Sequence, residues 1–109
     1  MIEGSVVKAY VQQANREYKP RPAVLVRKLP YFDDWLICGV SSKTYRVHHG
    51  FDILIDNQHT DFNNIGLPFP SVIRTGWLYT FPESNIEGIL GKLSNSTLNQ
   101  LKNNLKDYL

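Results

Sequence analysis

Short apolar stretches alternate with polar turns over most of this chain, which is the pattern of a protein built from strands. The period is clearest where Phe51, Ile53 and Ile55 occupy every second position, as in a half-buried strand. The pattern predicts five or six strands. They lie at Val6 to Val11, Ala23 to Val26, Trp35 to Val40, Phe51 to Asp56, Ser71 to Phe81 and, as a last short strand, Ile89 to Leu90.

Polar and turn-forming residues separate these strands. Long loops are predicted at Gln12 to Pro20, Ser42 to Gly50 and Asn57 to Pro70. Gly76 lies inside the fifth strand and favours a break or bulge there, and Pro82 to Asn85 predicts one helical turn.

The period changes at the C-terminus. Leu98, Leu101, Leu105 and Leu109 are spaced three, four and four residues apart, which places them along one side of a helix, with Ser94 or Ser96 as its cap. With 109 residues, the chain is expected to form a single domain over 1–109. The predicted architecture is mainly β, a small barrel closed by one amphipathic helix.

The dipeptide Arg21-Pro22 precedes the second apolar run, and proline is expected to mark the start of that strand because it cannot donate a ladder hydrogen bond. The third strand ends in Ser41-Ser42-Lys43. If these strands pair, a guanidinium and two hydroxyls meet at one sheet edge, and such groups hold a phosphate without a metal.

Composition narrows the possible functions and the cellular location of the protein only slightly. The net charge of +2 is too small to indicate nucleic acid by itself. The single cysteine, Cys38, lies in an apolar run and is interpreted as a buried hydrophobe of a reducing compartment rather than a catalytic thiol. No stretch reaches transmembrane length and no export signal precedes the first strand, so a cytoplasmic location without membrane contact is expected.

Two further groups allow alternative interpretations. His48, His49 and His59 suggest zinc, but adjacent histidines in a strand face opposite sides and no cysteine or carboxylate falls at ligand spacing, so a proton-shuttle role is the stronger alternative. Tyr31, Phe32 and Trp35 suit base stacking, although such a cluster equally forms core or dimer surface.

Four ordered motifs carry a family resemblance: KPRPAVLV, LICGVSS, SVIRTGWLYTF, and ILGKLS before the terminal helix. In this order the chain resembles the MazF/PemK toxins of type II toxin–antitoxin systems from Gly4 to its C-terminal helix. The resemblance implies an SH3-like barrel of the MazF/PemK/CcdB kind that forms a homodimer. It also implies a metal-independent endoribonuclease (an mRNA interferase) without a cofactor, which cleaves single-stranded RNA to 2′,3′-cyclic phosphate ends and is blocked by an antitoxin.

Carried over by motif, the resemblance implies that Arg21 and Ser41 are catalytic, Ser41 standing where a threonine is usual. Arg74 corresponds to a basic position that some members have in the fifth strand. Lys19, Ser42 and Lys43 are predicted as further substrate-binding residues, as is Arg74. Gly76 stands where many members have an acidic residue, so the general base is not identified. The alternative function is a module that keeps the barrel and binds RNA or a partner peptide without cleaving.

Overall fold

The computed structural model describes residues 1–109 as six strands followed by one helix. Glu83–Asn85 forms the predicted helical turn, and a second 3-10 turn spans Thr44–Arg46. All six predicted strands and the terminal helix are present, so the mainly β fold class is confirmed. The elements are β1 Ser5–Gln12, β2 Tyr18–Lys28, β3 Asp34–Ser41, β4 Ile53–Ile55, β5 Ser71–Pro82, β6 Ile86–Lys92 and α1 Asn95–Tyr108.

The six strands form one antiparallel sheet in the order β4-β5-β3-β2-β1-β6. The sheet is curled, but its edge strands β4 and β6 do not pair with each other. It is therefore a half-barrel and not a closed barrel. The loop between β4 and β5 covers part of the β6 edge: the Lys92 amide donates to the Asn64 carbonyl at 2.9 Å, and Ile65 is buried in the core.

Both faces of the sheet are buried in its central part, which β1, β2 and β3 form. Alternate residues of β2 point to opposite sides, so Val24 joins one apolar cluster while Ala23 and Leu25 join the other. The larger cluster includes Leu101 of α1, and the smaller one includes Trp35 and Phe81.

Strand β2 begins at Tyr18, four residues before Pro22, so the prediction that Pro22 marks its start is wrong. Between Tyr18 and Pro22 the strand pairs with β1 alone, because β3 joins it only from Ala23 onwards. Pro20 and Pro22 therefore lie in a segment with an open side, where a missing amide proton costs no ladder hydrogen bond.

Strand β5 contains the predicted bulge. Cys38 of β3 is opposite Leu78, whereas the next residue, Gly39, is opposite Arg74, so Thr75, Gly76 and Trp77 lie outside the ladder. The bulge is held from outside the sheet, because the Thr75 amide donates to Asp52 Oδ1 at 3.1 Å.

Helix α1 is capped by Ser94, one of the two predicted caps, whose Oγ accepts from the Thr97 amide at 3.2 Å. Leu98 and Leu101 are buried, Leu105 is half-buried, and Leu109 is 95% exposed, so the predicted apolar side of the helix does not extend to its last residue. No helix in the chain has the length and apolarity needed to cross a bilayer.

Candidate functional site

Arg21 and Ser41 meet at one end of the β2–β3 pair. The last paired residues there are Ala23 and Gly39. Arg21 lies two residues before Ala23, and Ser41 lies two residues after Gly39, so both side chains leave the same face of the sheet. They line a cavity of about 350 Å³, together with Gln13, Pro22, Val40, Ser42, Lys43, Arg46, Phe69 and Trp77.

This cationic cavity contains three positive side chains, Arg21, Lys43 and Arg46, and no carboxylate. None of the three forms an ion pair with an acidic residue of the chain. Unpaired cations grouped around a concave surface attract an anionic ligand. The cavity is therefore equipped to bind a phosphate through guanidinium and ammonium donors.

One acceptor position of the Ser41 hydroxyl is already occupied. Its Oγ accepts a hydrogen bond from the Lys43 amide at 3.1 Å, which fixes the turn that follows β3. Since a hydroxyl has one donor and two acceptor positions, the Ser41 proton is still available. Ser41 is thus positioned to donate a hydrogen bond into the cavity.

The structure places two of the sequence-predicted binding residues outside the cationic cavity. Arg74 lies on β5, where its Nε is 3.4 Å from Asp52 Oδ2 and its guanidinium carbon is 4.5 Å from the centre of the Trp77 ring. Lys19 is exposed on the face of β2 that also carries Arg21, two residues away. Ser42 and Lys43 do line the cavity beside Arg21 and Ser41.

A second cavity of about 190 Å³ adjoins the first and is mainly apolar. Arg21 and Trp77 line both cavities, as do Gln13, Pro22 and Val40. The remaining walls of this apolar cavity are Val11, Gln12, Ala14, Ala23, Ile37, Gly39 and Tyr79.

Sequence reasoning missed Arg46 and Trp77. Arg46 lies in the 3-10 turn after β3, within a segment whose composition indicates only a polar loop. Trp77 reaches the cavities because the bulge shifts it out of the β5 ladder. The RTGW sequence contains the signal for the bulge in its glycine, but it does not indicate the direction in which Trp77 is displaced.

The other aromatic and histidine candidates lie away from the two cavities. Trp35 is buried and donates from Nε1 to Glu83 at 3.1 Å, so it belongs to the core and is unavailable for base stacking. Tyr31 and Phe32 are exposed in the turn before β3, and neither lines either cavity. His59 Nδ1 accepts from the Asp61 amide, and no group of three or more potential ligand side chains is placed to hold a metal ion.

Two remaining positions bear on proton transfer. Burial, with a smaller contribution from the Asp52 charge, raises the pKa of the Cys38 thiol to about 12, so Cys38 is a protonated core residue at neutral pH. A Cβ atom at Gly76 would lie 3.3 Å from the Phe51 ring, which is tight packing. Neither position supplies a proton acceptor to the cavities.

Comparisons with known proteins agree on one family. The sequence model of the PemK-like, MazF-like toxins of type II toxin–antitoxin systems matches residues 3–109. Among curated proteins, none matches the chain significantly in sequence.

Solved structures show the same fold at low sequence identity. The Mycobacterium tuberculosis toxin MazF-mt6 superposes with a TM-score of 0.70 at 17% identity, over 94% of this chain and 93% of that one. A mycobacterial endoribonuclease in complex with its cognate antitoxin gives 0.71 at 14% identity, over 98% and 92% of the two chains. A MazE–MazF structure from Deinococcus radiodurans gives 0.71 at 14% identity, over 99% and 93%.

Proposed function

Because the chain belongs to the PemK-like, MazF-like toxins of type II toxin–antitoxin systems, we propose that it acts as a cytoplasmic, metal-independent endoribonuclease on single-stranded RNA. The observation that carries the proposal is the cationic cavity, in which Arg21 and Ser41 lie with Lys43 and Arg46. A similar fold in a solved mycobacterial endoribonuclease is consistent with it.

The reaction forms a bond between the ribose 2′-oxygen and the adjacent phosphorus and breaks the bond from phosphorus to the 5′-oxygen. The products are a 2′,3′-cyclic phosphate and a free 5′-hydroxyl. Arg21 donates two parallel hydrogen bonds to the phosphate oxygens as negative charge develops on them. One such donor contributes about 3 kcal/mol to the transition state, by comparison with oxyanion-hole donors. Ser41 donates a hydrogen bond to a phosphate oxygen or to the leaving 5′-oxygen, and the leaving oxygen takes its proton from solvent.

The cavities contain no evident group that accepts the proton of the 2′-hydroxyl. Neither contains a carboxylate, an imidazole or a thiol. Gly76 provides no side chain where many family members have an acid. We infer that solvent accepts this proton, and that the protein accelerates the reaction mainly by stabilising charge on the phosphate.

Incubating the pure protein with a long unstructured RNA in EDTA tests the proposal. Discrete cuts with cyclic-phosphate ends are expected, and Arg21→Ala should remove most of the activity. Arg27→Ala is the matched control, since Arg27 lies on the same strand outside both cavities in an exposed ion pair with Glu3. Intact RNA at high protein concentration would contradict the proposal.

The second candidate function is a binding module without catalysis, favoured by Gly76 and by the absence of a base in the cavities. Expression in a bacterial host separates the two functions. Growth arrest that Arg21→Ala relieves indicates the enzyme, whereas harmless expression of the unchanged chain favours the module.

The partners we propose are an antitoxin and a second copy of the chain. Unpaired cations in the cavity suit an acidic, disordered antitoxin segment that excludes RNA by occupying the same place. Aromatic residues exposed outside the two cavities, including Tyr18 and Tyr45, and the uncovered parts of the sheet edges suit a homodimer. Light scattering should give about twice the chain mass of 12.5 kDa, and a monomer at micromolar concentration would contradict the dimer.

A further inference from the structure

Phe51 connects the end of helix α1 to the bulge of β5 through a single carbonyl oxygen. That oxygen accepts a hydrogen bond from the Thr75 hydroxyl at 2.6 Å and another from the Asn104 side-chain amide at 2.9 Å. Both of its lone pairs are therefore used. Thr75 lies in the bulge, and Asn104 lies about one turn before the end of α1. One backbone atom thus links two elements that are distant in sequence.

The Phe51 ring makes the same connection through packing. A Cβ atom at Gly76 would lie only 3.3 Å from Cε2 of this ring, so the ring rests on the backbone of the bulge in space that the glycine leaves free. The ring also packs against that of Tyr108, with 4.7 Å between the ring centres and 42° between their planes. The last turn of α1 therefore contacts the bulge through Phe51.

The bulge depends on contacts from outside the sheet, because Thr75 to Trp77 have no partner residues on β3. Asp52, which directly follows Phe51, accepts from the Thr75 amide at 3.1 Å and pairs with Arg74. Arg74 in turn packs on the indole ring of the bulge, and that ring forms part of the wall of the cationic cavity. A shift of Phe51 is therefore expected to shift this wall.

We propose that Phe51 is a positioning residue that couples the last turn of α1 to the geometry of the cationic cavity. The inference rests on the proposed function, which assigns the reaction to that cavity. Neither Phe51 nor Tyr108 lines either cavity, so their effect on cleavage must pass through the bulge. Because Tyr108 is 76% exposed, the coupling can be broken at the helix without opening the core.

The kinetics of RNA cleavage test the proposal. Phe51→Ala should lower kcat by up to about 10²-fold, the effect of misplacing part of an active site by about 1 Å. Tyr108→Ala should lower kcat by about 2- to 12-fold, the shift in an equilibrium that the loss of one aromatic pair causes. KM should change little in both variants, because the cations that hold the phosphates lie on other elements.

Two controls separate positioning from a general loss of stability. Tyr108→Phe keeps the ring and should keep the rate. Phe62→Ala removes another half-buried aromatic ring, which packs against the larger apolar cluster and lies outside both cavities and the bulge. It should lower the stability and leave the kcat of the folded protein unchanged.

Acrylamide quenching of tryptophan fluorescence measures the bulge without any catalysis. Trp77 is 40% exposed and Trp35 only 4%, so the quencher reaches mainly Trp77. Phe51→Ala and Tyr108→Ala should make this quenching stronger, whereas the two control variants should not change it.

In a protein that cleaves RNA, the proposal requires that Phe51→Ala change both kcat and the quenching. A change in only one of them, or equal losses of kcat in Phe51→Ala and Phe62→Ala, would overturn it. Stronger quenching in Phe51→Ala, where the unchanged protein cleaves no RNA, would uphold the link between α1 and the bulge while refuting the proposed nuclease.

Discussion

At the scale of single residues, Ser41 is the side chain whose role can be isolated most sharply. Its oxygen already accepts from the Lys43 amide, so its contribution to the proposed reaction is one donated hydrogen bond. Ser41→Ala should lower the cleavage rate by about 10²–10³-fold, the effect of removing one transition-state donor. Ser41→Thr is the control that retains the hydroxyl and should keep most of the rate. Equal rates in the alanine and threonine variants would exclude this role.

The sequence predicts which side chains lie close together where local chemistry is sufficient. Ser41, Ser42 and Lys43 are consecutive, and the end of a strand brings them to the cavity where Arg21 lies. Arg74 shows the limit of such reasoning. Its ion-pair partner, Asp52, is distant in sequence and becomes its neighbour only because β4 and β5 pair. The sequence therefore identifies Arg74 as a cation but does not reveal that its charge is paired.

At the scale of elements, Asp52 connects the start of β4 to the bulge of β5. Its carboxylate accepts from the His48 and Thr75 amides at 3.1 Å each and pairs with Arg74, while its side chain is only 3% exposed. Asp52→Asn should destabilise the fold by about 3 kcal/mol, because it removes one partner of a buried ion pair and faces an amide group towards another donor. Urea unfolding measures the loss.

The control for this variant is Asp33→Asn. Asp33 pairs with Lys28 at 3.7 Å, but its side chain is 81% exposed, so its removal should cost less than about 1 kcal/mol. Equal destabilisation by the two substitutions would show that the buried network does not anchor the bulge.

Asp61, in the loop between β4 and β5, holds the start of helix α1 because its carboxylate accepts from the amide and the hydroxyl of the cap residue Ser94. Burial alone would raise the pKa of this carboxyl, but hydrogen bonds from Ser94 and Thr97 and the nearby His59 outweigh it and lower the pKa below its ordinary value of 3.8. Because the folded-state pKa is depressed, this stabilisation is present above pH 3.8 and is lost as pH falls through the folded-state pKa.

The expected result is an acid-sensitive contribution that Asp61→Asn removes. The variant should be less stable than the unchanged protein at pH 7, and the difference should shrink towards pH 3. Urea midpoints at both pH values measure this. Asp107→Asn, at the exposed C-terminal end of the same helix, should leave the pH dependence unchanged. A constant difference at both pH values would contradict the prediction.

Element boundaries were harder to predict than element identity. The sequence predicts β6 as the pair Ile89 to Leu90, yet the strand spans Ile86–Lys92, because β1 provides a partner along that whole length. Strand β2 is longer than predicted for the same reason. Pairing between distant segments sets the ends of these strands, and it overrides the local effects of proline and glycine.

At the scale of the whole molecule, the positions of the charged side chains are more informative about function than the net charge. A net charge of +2 indicates no ligand, yet the fold gathers Arg21 from β2 and two cations from the β3–β4 loop around one cavity. This grouping depends on the register between β2 and β3 and on the turn at Thr44–Arg46. Neither can be read from composition, so the cavity is a property of the topology.

The salt dependence of RNA binding should report how many of these cations act together. For single-stranded nucleic acid the logarithm of the affinity falls with the logarithm of salt concentration by about 0.7 for each neutralised phosphate. Contacts from Arg21, Lys43 and Arg46 therefore predict a slope of about −2 per chain for a single-stranded 2′-O-methyl RNA, which lacks the attacking hydroxyl and stays intact. Lys43→Ala should reduce the steepness by about 0.7, and Lys106→Ala, on an exposed position of α1, should not. Lys19→Ala tests whether the RNA continues along β2, since a fourth contact would give a slope near −3. A slope that Lys43→Ala leaves unchanged would mean that the phosphates bind elsewhere on the molecule.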